Sequence, residues 1–305
     1  MYAVERTLEA SAGKRTRVPF AGRYINLDRS TLRRTRLEQQ LHELGIGDVY
    51  SRFPARDGTC MPGKGGTISP REYGCFASHL QLLKEACSLQ AHLHVLEDDA
   101  LLSPEFVPIV ARAIDQGVLD EFDLLFTDLF VSWDPLQIAS LERARRRNTC
   151  LDAHTGQEAL TGVTVFDLHG KGLACTSSYL VSRRSIERVA ALLDRALLAG
   201  LALPVDLVMR QLVDAGVLKA ACVVPFVTSV ALEAAADSTI RGDLLGAELS
   251  RLACTVLRHT FFVRPDWSMV ESVLARYFPH EAPTPRTRAV GRVMEFLARG
   301  NAQSF

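Results

Sequence analysis

The sequence predicts an open α/β sheet, mostly parallel, with helices on both faces. Two observations carry that reading. Short apolar runs alternate with amphipathic helical patterns along most of the chain. One such run, Leu93-His94-Val95-Leu96, ends in three consecutive carboxylates, Glu97, Asp98 and Asp99, and then turns apolar again. Ligands of such sheets sit outside the carboxyl ends of strands, where this acidic cluster falls.

Taken in order, residues 1–20 read as a flexible N-terminal arm. Arg23 to Leu27 reads as a short strand, and Asp28-Arg29-Ser30 as a turn and helix cap. Leu32, Leu37, Leu41 and Leu44 recur at helical spacing, and Gly45 and Gly47 end that helix. Val49 to Phe53 fits a second strand. Gly58, Gly63, Gly65 and Gly66 make 54–70 a mobile loop. Ser69, Pro70 and Glu72 form a helix start: cap, first helical position and capping-box acid. That helix should run to about Ser88. His92 to Leu96 is the central strand, and Ser103-Pro104-Glu105 opens another helix. Phe122 to Leu129 is a strand. The Arg-rich stretch 134–154 reads as a flap or as partly disordered. Thr161 to Phe166 fits an edge strand, Ser177 to Val181 a strand, and Ser182 to Leu198 a helix. Pro204-Val205-Asp206 opens the next helix, and Pro225 stops a strand over 219–224. The division expected is an arm over 1–20, a domain over 21–245 and a helical extension over 246–305.

Composition narrows the function classes. Lys+Arg and Asp+Glu both number 35, so no net field recruits nucleic acid. Seven cysteines without a CxxC pair read as reduced thiols, which points to the cytosol. No apolar run approaches the roughly 18 residues that cross a bilayer, and the first twenty lack a secretory signal. Over 286–299, Val290, Val293, Met294 and Leu297 share a helical face among arginines. This helix either packs on the protein or makes peripheral contact with an anionic membrane.

Three adjacent carboxylates repel one another, so they are solvated or neutralised by a cation. Hard oxygen ligands suit Mg²⁺ or Mn²⁺, which commonly bridge carboxylates to substrate phosphates.

Six motifs in order then resemble one family. They are Tyr24-Ile25-Asn26-Leu27-Asp28-Arg29, Arg52-Phe53-Pro54-Ala55, Ser69 to Leu80 with its Gly74-Cys75-Phe76-Ala77-Ser78-His79 core, Leu96-Glu97-Asp98-Asp99, Thr176 to Arg183, and Pro204-Val205-Asp206. Together they resemble glycosyltransferase family 25, which includes lipooligosaccharide and collagen galactosyltransferases. The resemblance implies a GT-A-like fold, a UDP-sugar donor (typically UDP-galactose), a divalent metal, and inversion at the anomeric carbon. It also implies a glycan or lipid-linked acceptor.

On that basis Asp99 is the expected metal ligand, with Glu97 beside it and Asp98 or Glu97 on the ribose or acting through water. Asp206 is the candidate general base or, alternatively, a helix cap; Asp128 is the second candidate base. Asn26, Arg29 and Arg34 are expected at the nucleotide, while Arg33 and Arg36 fit a solvated helix face. Ser78 and His79 lie one turn past Gly74. His79 either meets the diphosphate, orients a metal ligand or packs. Ser177 and Tyr179 are placed on the donor sugar or in the core. His154, His169, His259 and His280 read as structural or surface. A rival reading is a catalytically silent relative that binds sugar or protein. A phosphohydrolase fits less well, because the residue after the acids does not match the aspartyl-phosphate pattern.

Overall fold

The computed structural model describes residues 6–9, 18–60, 67–131, 135–151, 158–171, 175–232 and 254–277. The strands are β1 (Arg6–Glu9), β2 (Phe20–Asn26), β3 (Tyr50–Pro54), β4 (His92–Glu97), β5 (Ala100–Leu102), β6 (Leu124–Phe126), β7 (Thr149–Leu151), β8 (Glu158–Leu160), β9 (Gly162–Asp167), β10 (Ser178–Val181), β11 (Ala220–Val224) and β12 (Thr228–Val230). The helices are α1 (Thr31–Glu43), α2 (Pro70–Ala86), α3 (Phe106–Asp115), α4 (Val118–Glu121), α5 (Pro135–Arg147), α6 (Ile186–Leu198) and α7 (Val205–Asp214). Residues 254–260 are helical, and a further helix spans Trp267–Tyr277.

Eight strands form one sheet in the order β1-β9-β11-β6-β10-β4-β2-β3. It is the expected α/β sheet, but not mostly parallel: four of its seven pairings are antiparallel. β2 runs parallel to β3 and to β4, and β11 runs parallel to β6. β10 lies antiparallel between β4 and β6. Its beginning therefore meets the ends of both neighbours, and this placement builds the site.

Period-two alternation sends successive strand residues to opposite layers. Leu93 and Val95 of β4 pack with α2, α5, α6 and α7, while Leu96 packs with α1, α3 and α4. α2 starts as its sequence directs: Ser69 accepts the Glu72 N–H at 3.2 Å, and the Glu72 carboxylate accepts the Ser69 N–H at 2.7 Å. Each half of this box satisfies one orphan donor of the first turn.

Four further expectations need correction. The arm is not wholly loose, because β1 pairs with β9. For the same reason β9 is an interior strand, not an edge. The Arg-rich stretch contains the helix α5, whose Leu141 and Ala144 are buried. Arg145 and Arg146 both pair with Glu142, so helical spacing places opposite charges together there. Arg33 is no solvated face residue, as the site shows below.

Residues 254–263 dock on the sheet. The Phe226 N–H donates to the Phe261 carbonyl at 2.7 Å, and the Val263 N–H to the Phe226 carbonyl at 3.0 Å. Among the described residues no helix is long and apolar enough to cross a membrane. The amphipathic stretch 286–299, His154 and His280 lie outside the described residues.

Candidate active site

The carboxylates Glu97, Asp98 and Asp99 leave the end of β4 and line an open cleft. Arg29, Arg33, Arg56 and Arg71 line the same cleft, so acidic and basic groups share it. The cleft floor is fixed by two glycines. A Cβ on Gly58 would lie 1.6 Å from the Pro70 carbonyl oxygen, and one on Gly74 would lie 2.5 Å from the Gly58 nitrogen. Only bare backbone allows loop 55–58 to sit this close to α2. Ser78 completes the join, accepting the Arg56 N–H at 2.8 Å and donating to the Gly74 carbonyl at 2.7 Å. Both bonds go to backbone groups of the join, so Ser78 holds the floor of the cleft.

The three carboxylates differ in partners. Asn26, buried at the end of β2, donates to Asp98 at 2.7 Å, and Arg52 in turn holds the Asn26 amide oxygen at 2.9 Å. Arg33 reaches Asp98 at 3.2 Å and Asp99 at 3.8 Å. Glu97 receives the Thr176 hydroxyl at 2.7 Å and faces His79 Nε2 at 3.2 Å. The His79 ring is set from behind by the Tyr179 hydroxyl on Nδ1 at 2.9 Å. Asp99 has the fewest partners: its Oδ1 is buried without a hydrogen bond.

Titration follows from these surroundings. Burial acts against an ionised Glu97, but the hydrogen bond and charge of His79, with Thr176 and Arg258, hold it below its ordinary value. Burial raises Asp98, with Asn26 and Arg33 offsetting part of the effect. Burial, then the charge of Glu97, pushes Asp99 up to about 7. A buried carboxylate this short of partners fits a cation beside it. The donor set, all carboxylate oxygens, is the one that hard divalent ions take.

Asp206 sits in the first turn of α7, whose N-cap is Pro204. It is therefore not the cap residue itself; one carboxylate oxygen accepts the Leu207 N–H at 2.9 Å. Burial raises its pKa, and the charge of Glu97 adds to the shift; Asp206 itself is not among the residues that line the cleft.

Asp128 is placed differently. It is fully buried, takes the Ser177 hydroxyl on both oxygens at 3.0 and 3.1 Å, and pairs with buried Arg258. Burial works against the Arg258 charge, but Asp128 beside it wins and raises the guanidinium pKa. A carboxylate so engaged anchors Arg258 and has no path to an acceptor, so the second candidate base becomes a structural group. Ser177 and Tyr179 are buried too and hold Asp128 and His79. Arg34 does not line the cleft; its charge bears on the Tyr24 hydroxyl. Arg29 does line it, paired with Asp57.

Sequence reasoning missed Arg33, Cys75, Thr176 and Arg258. Arg33 lies in the first turn of α1, just past the end of β2, a place that a solvated-face reading of the helix passes over. Arg258 offered no local signal. His259, also buried, bonds the Val230 carbonyl at 2.9 Å, and His169 the Val213 carbonyl at 3.0 Å, both structural as expected.

A family model described as glycosyltransferase family 25 (LPS biosynthesis protein) matches residues 23–209, more than half of the chain. The match ends before Arg258. No curated protein matches the chain significantly.

Proposed function

Since the chain belongs to glycosyltransferase family 25, we propose a metal-dependent, inverting transfer of a hexose, galactose in our reading, from a UDP-sugar to a lipopolysaccharide-type glycan. The observation that carries the metal-dependent reading is the unpartnered, buried Oδ1 of Asp99 at the mouth of an arginine-lined cleft.

Asp99 and Glu97 would hold a Mn²⁺ or Mg²⁺ ion. Such an ion supplies charge neutralisation for a departing diphosphate. The chain's own groups divide the remaining work. Arg29, Arg56 and Arg71 present planar, permanently charged donors suited to phosphate oxygens. Asp98, held still by Asn26 and Arg33, offers an acceptor to a ribose hydroxyl. Asp206 takes the proton of the attacking acceptor hydroxyl. As that oxygen bonds to the anomeric carbon, the bond to the diphosphate breaks and the configuration inverts. The raised pKa of Asp206 suits a base, because proton transfer is most effective when the base lies nearer the working pH.

The test is hydrolysis of a panel of nucleotide sugars with and without Mn²⁺, in wild type and Asp99→Ala. Slow, Mn²⁺-dependent hydrolysis of one UDP-sugar, abolished by the substitution, supports the reading. Failure to turn over any nucleotide sugar, together with failure to bind UDP and Mn²⁺, would leave a silent sugar-binding relative in its place.

A further inference from the structure

Beside the all-oxygen pair lies a second donor set of different chemistry. Cys75, His79 and Glu97 bring one ligand atom each within 4.8 Å of one another. Cys75 and His79 stand four residues apart on α2, so one helix face presents both. Glu97 faces them from the end of β4, its Oε1 lying 3.2 Å from His79 Nε2. Tetrahedral zinc with bonds of about 2.0–2.3 Å sets its ligand atoms roughly 3.3–3.7 Å apart. The cluster therefore needs a contraction of at most about 1.5 Å at its widest pair.

We propose that Cys75, His79 and Glu97 form a Zn²⁺ site, distinct in ligand chemistry from the Asp99 site and sharing Glu97 with it. Sulfur and imidazole select zinc, whereas carboxylates alone select Mg²⁺ or Mn²⁺. The outer partners of such a site are already built. Tyr179 sits on His79 Nδ1 at 2.9 Å, so an Nδ1–H donated to the phenol oxygen orients the ring and leaves Nε2 to bond the ion once any Nε2 proton has gone to solvent. Thr176 fixes the carboxylate at 2.7 Å. All three ligands line the cleft, so the ion enters from solvent and its fourth position faces the cleft. On binding, the Cys75 thiol gives its proton to solvent and its sulfur bonds the metal, with no change in oxidation state. Zinc held here takes Glu97 away from the acidic trio. Where the transferase reading holds, Zn²⁺ is thus an inhibitor that competes with Mn²⁺.

The experiment is titration of the full chain with Co²⁺ as a spectroscopic probe for zinc, in the absence of any sugar nucleotide. A thiolate-to-Co²⁺ charge-transfer band that one equivalent of Zn²⁺ removes is the expected result. Cys75→Ser, close to isosteric, should lose the band and weaken Zn²⁺ at least about tenfold, no less than loss of an outer partner costs. His79→Gln should weaken Zn²⁺ comparably. Cys87→Ser, at the exposed end of α2, should keep the band, and so should Asp99→Ala. No band in the wild type, or a band that survives Cys75→Ser, overturns the site. The transferase reading fails separately, as lack of turnover with the Co²⁺ band intact.

Discussion

Two aspartates follow neighbouring strand ends and meet opposite fates. Asp99, after β4, keeps a buried oxygen without a partner. Asp128, after β6, is closed in by Ser177 and Arg258. The segment leading into β10, the strand between them, serves both: Thr176 bonds Glu97 while the next residue, Ser177, bonds Asp128. Adjacent residues in extended chain point to opposite sides, so one short segment supplies the open pole and the closed pole. The fold leaves one carboxylate oxygen under-satisfied at an open cleft and satisfies the other carboxylate in a closed interior.

Breaking the closed pole gives the largest effect. Arg258→Ala leaves Asp128 buried and unpaired, which should cost about 3–5 kcal/mol of stability in a denaturant melt. Replacing both partners, Arg258→Met with Asp128→Leu, should recover most of that loss, because matched apolar groups remove the stranded charge. If the double replacement is as unstable as the single one, the pole does more than fill space.

The open pole should respond with the opposite sign. An acid whose pKa is higher folded than unfolded binds more protons in the fold. Stability of the metal-free chain therefore falls as pH rises from near 4 to about 7, and levels off above that. Asp99→Asn should remove this slope and raise Tm at pH 8 while abolishing metal-dependent turnover. The gap between about 7 and the ordinary 3.8 caps the gain at about 4 kcal/mol.

Asp206→Asn should lower turnover at least about 100-fold with donor binding retained, the usual weight of a general base. In the wild type, activity should be lost as pH falls through the raised pKa of Asp206, and the substitution should erase that acidic limb. Smallest of all, Ser69→Ala touches neither pole and should cost about 1 kcal/mol through its capping box alone. A much larger loss would mean that the floor of the cleft depends on how α2 begins.

Local chemistry explains what was legible. The strands and helices that position the site follow from apolar periodicity, the α2 start from Ser69-Pro70-Arg71-Glu72, and the acidic mouth from three adjacent carboxylates. Asn26, Arg29, His79 and the Glu97–Asp99 run meet in one place as their motifs implied. Asp128 misled because its partner lies 130 residues away in sequence, and a lone arginine announces no ion pair. The Arg-rich stretch misled because charge was read as solvation, when Glu142 and buried Leu141 give it a helical face. The arm misled because a four-residue strand has no period to read, and only its pairing with β9 reveals it.

That pairing has a consequence for how the chain is made. Leu8 lies opposite Val163, so β1 leaves the ribosome before its partner and must wait for a strand synthesised about 155 residues later. At 5–20 residues per second the wait is roughly 10–30 s. Until then β9 does not exist, and Leu8, wholly buried in the finished protein, stays in water. One edge of the sheet is therefore closed by a strand translated well before its partner, and a change within Arg6–Glu9 would act on the timing of assembly before it acted on catalysis.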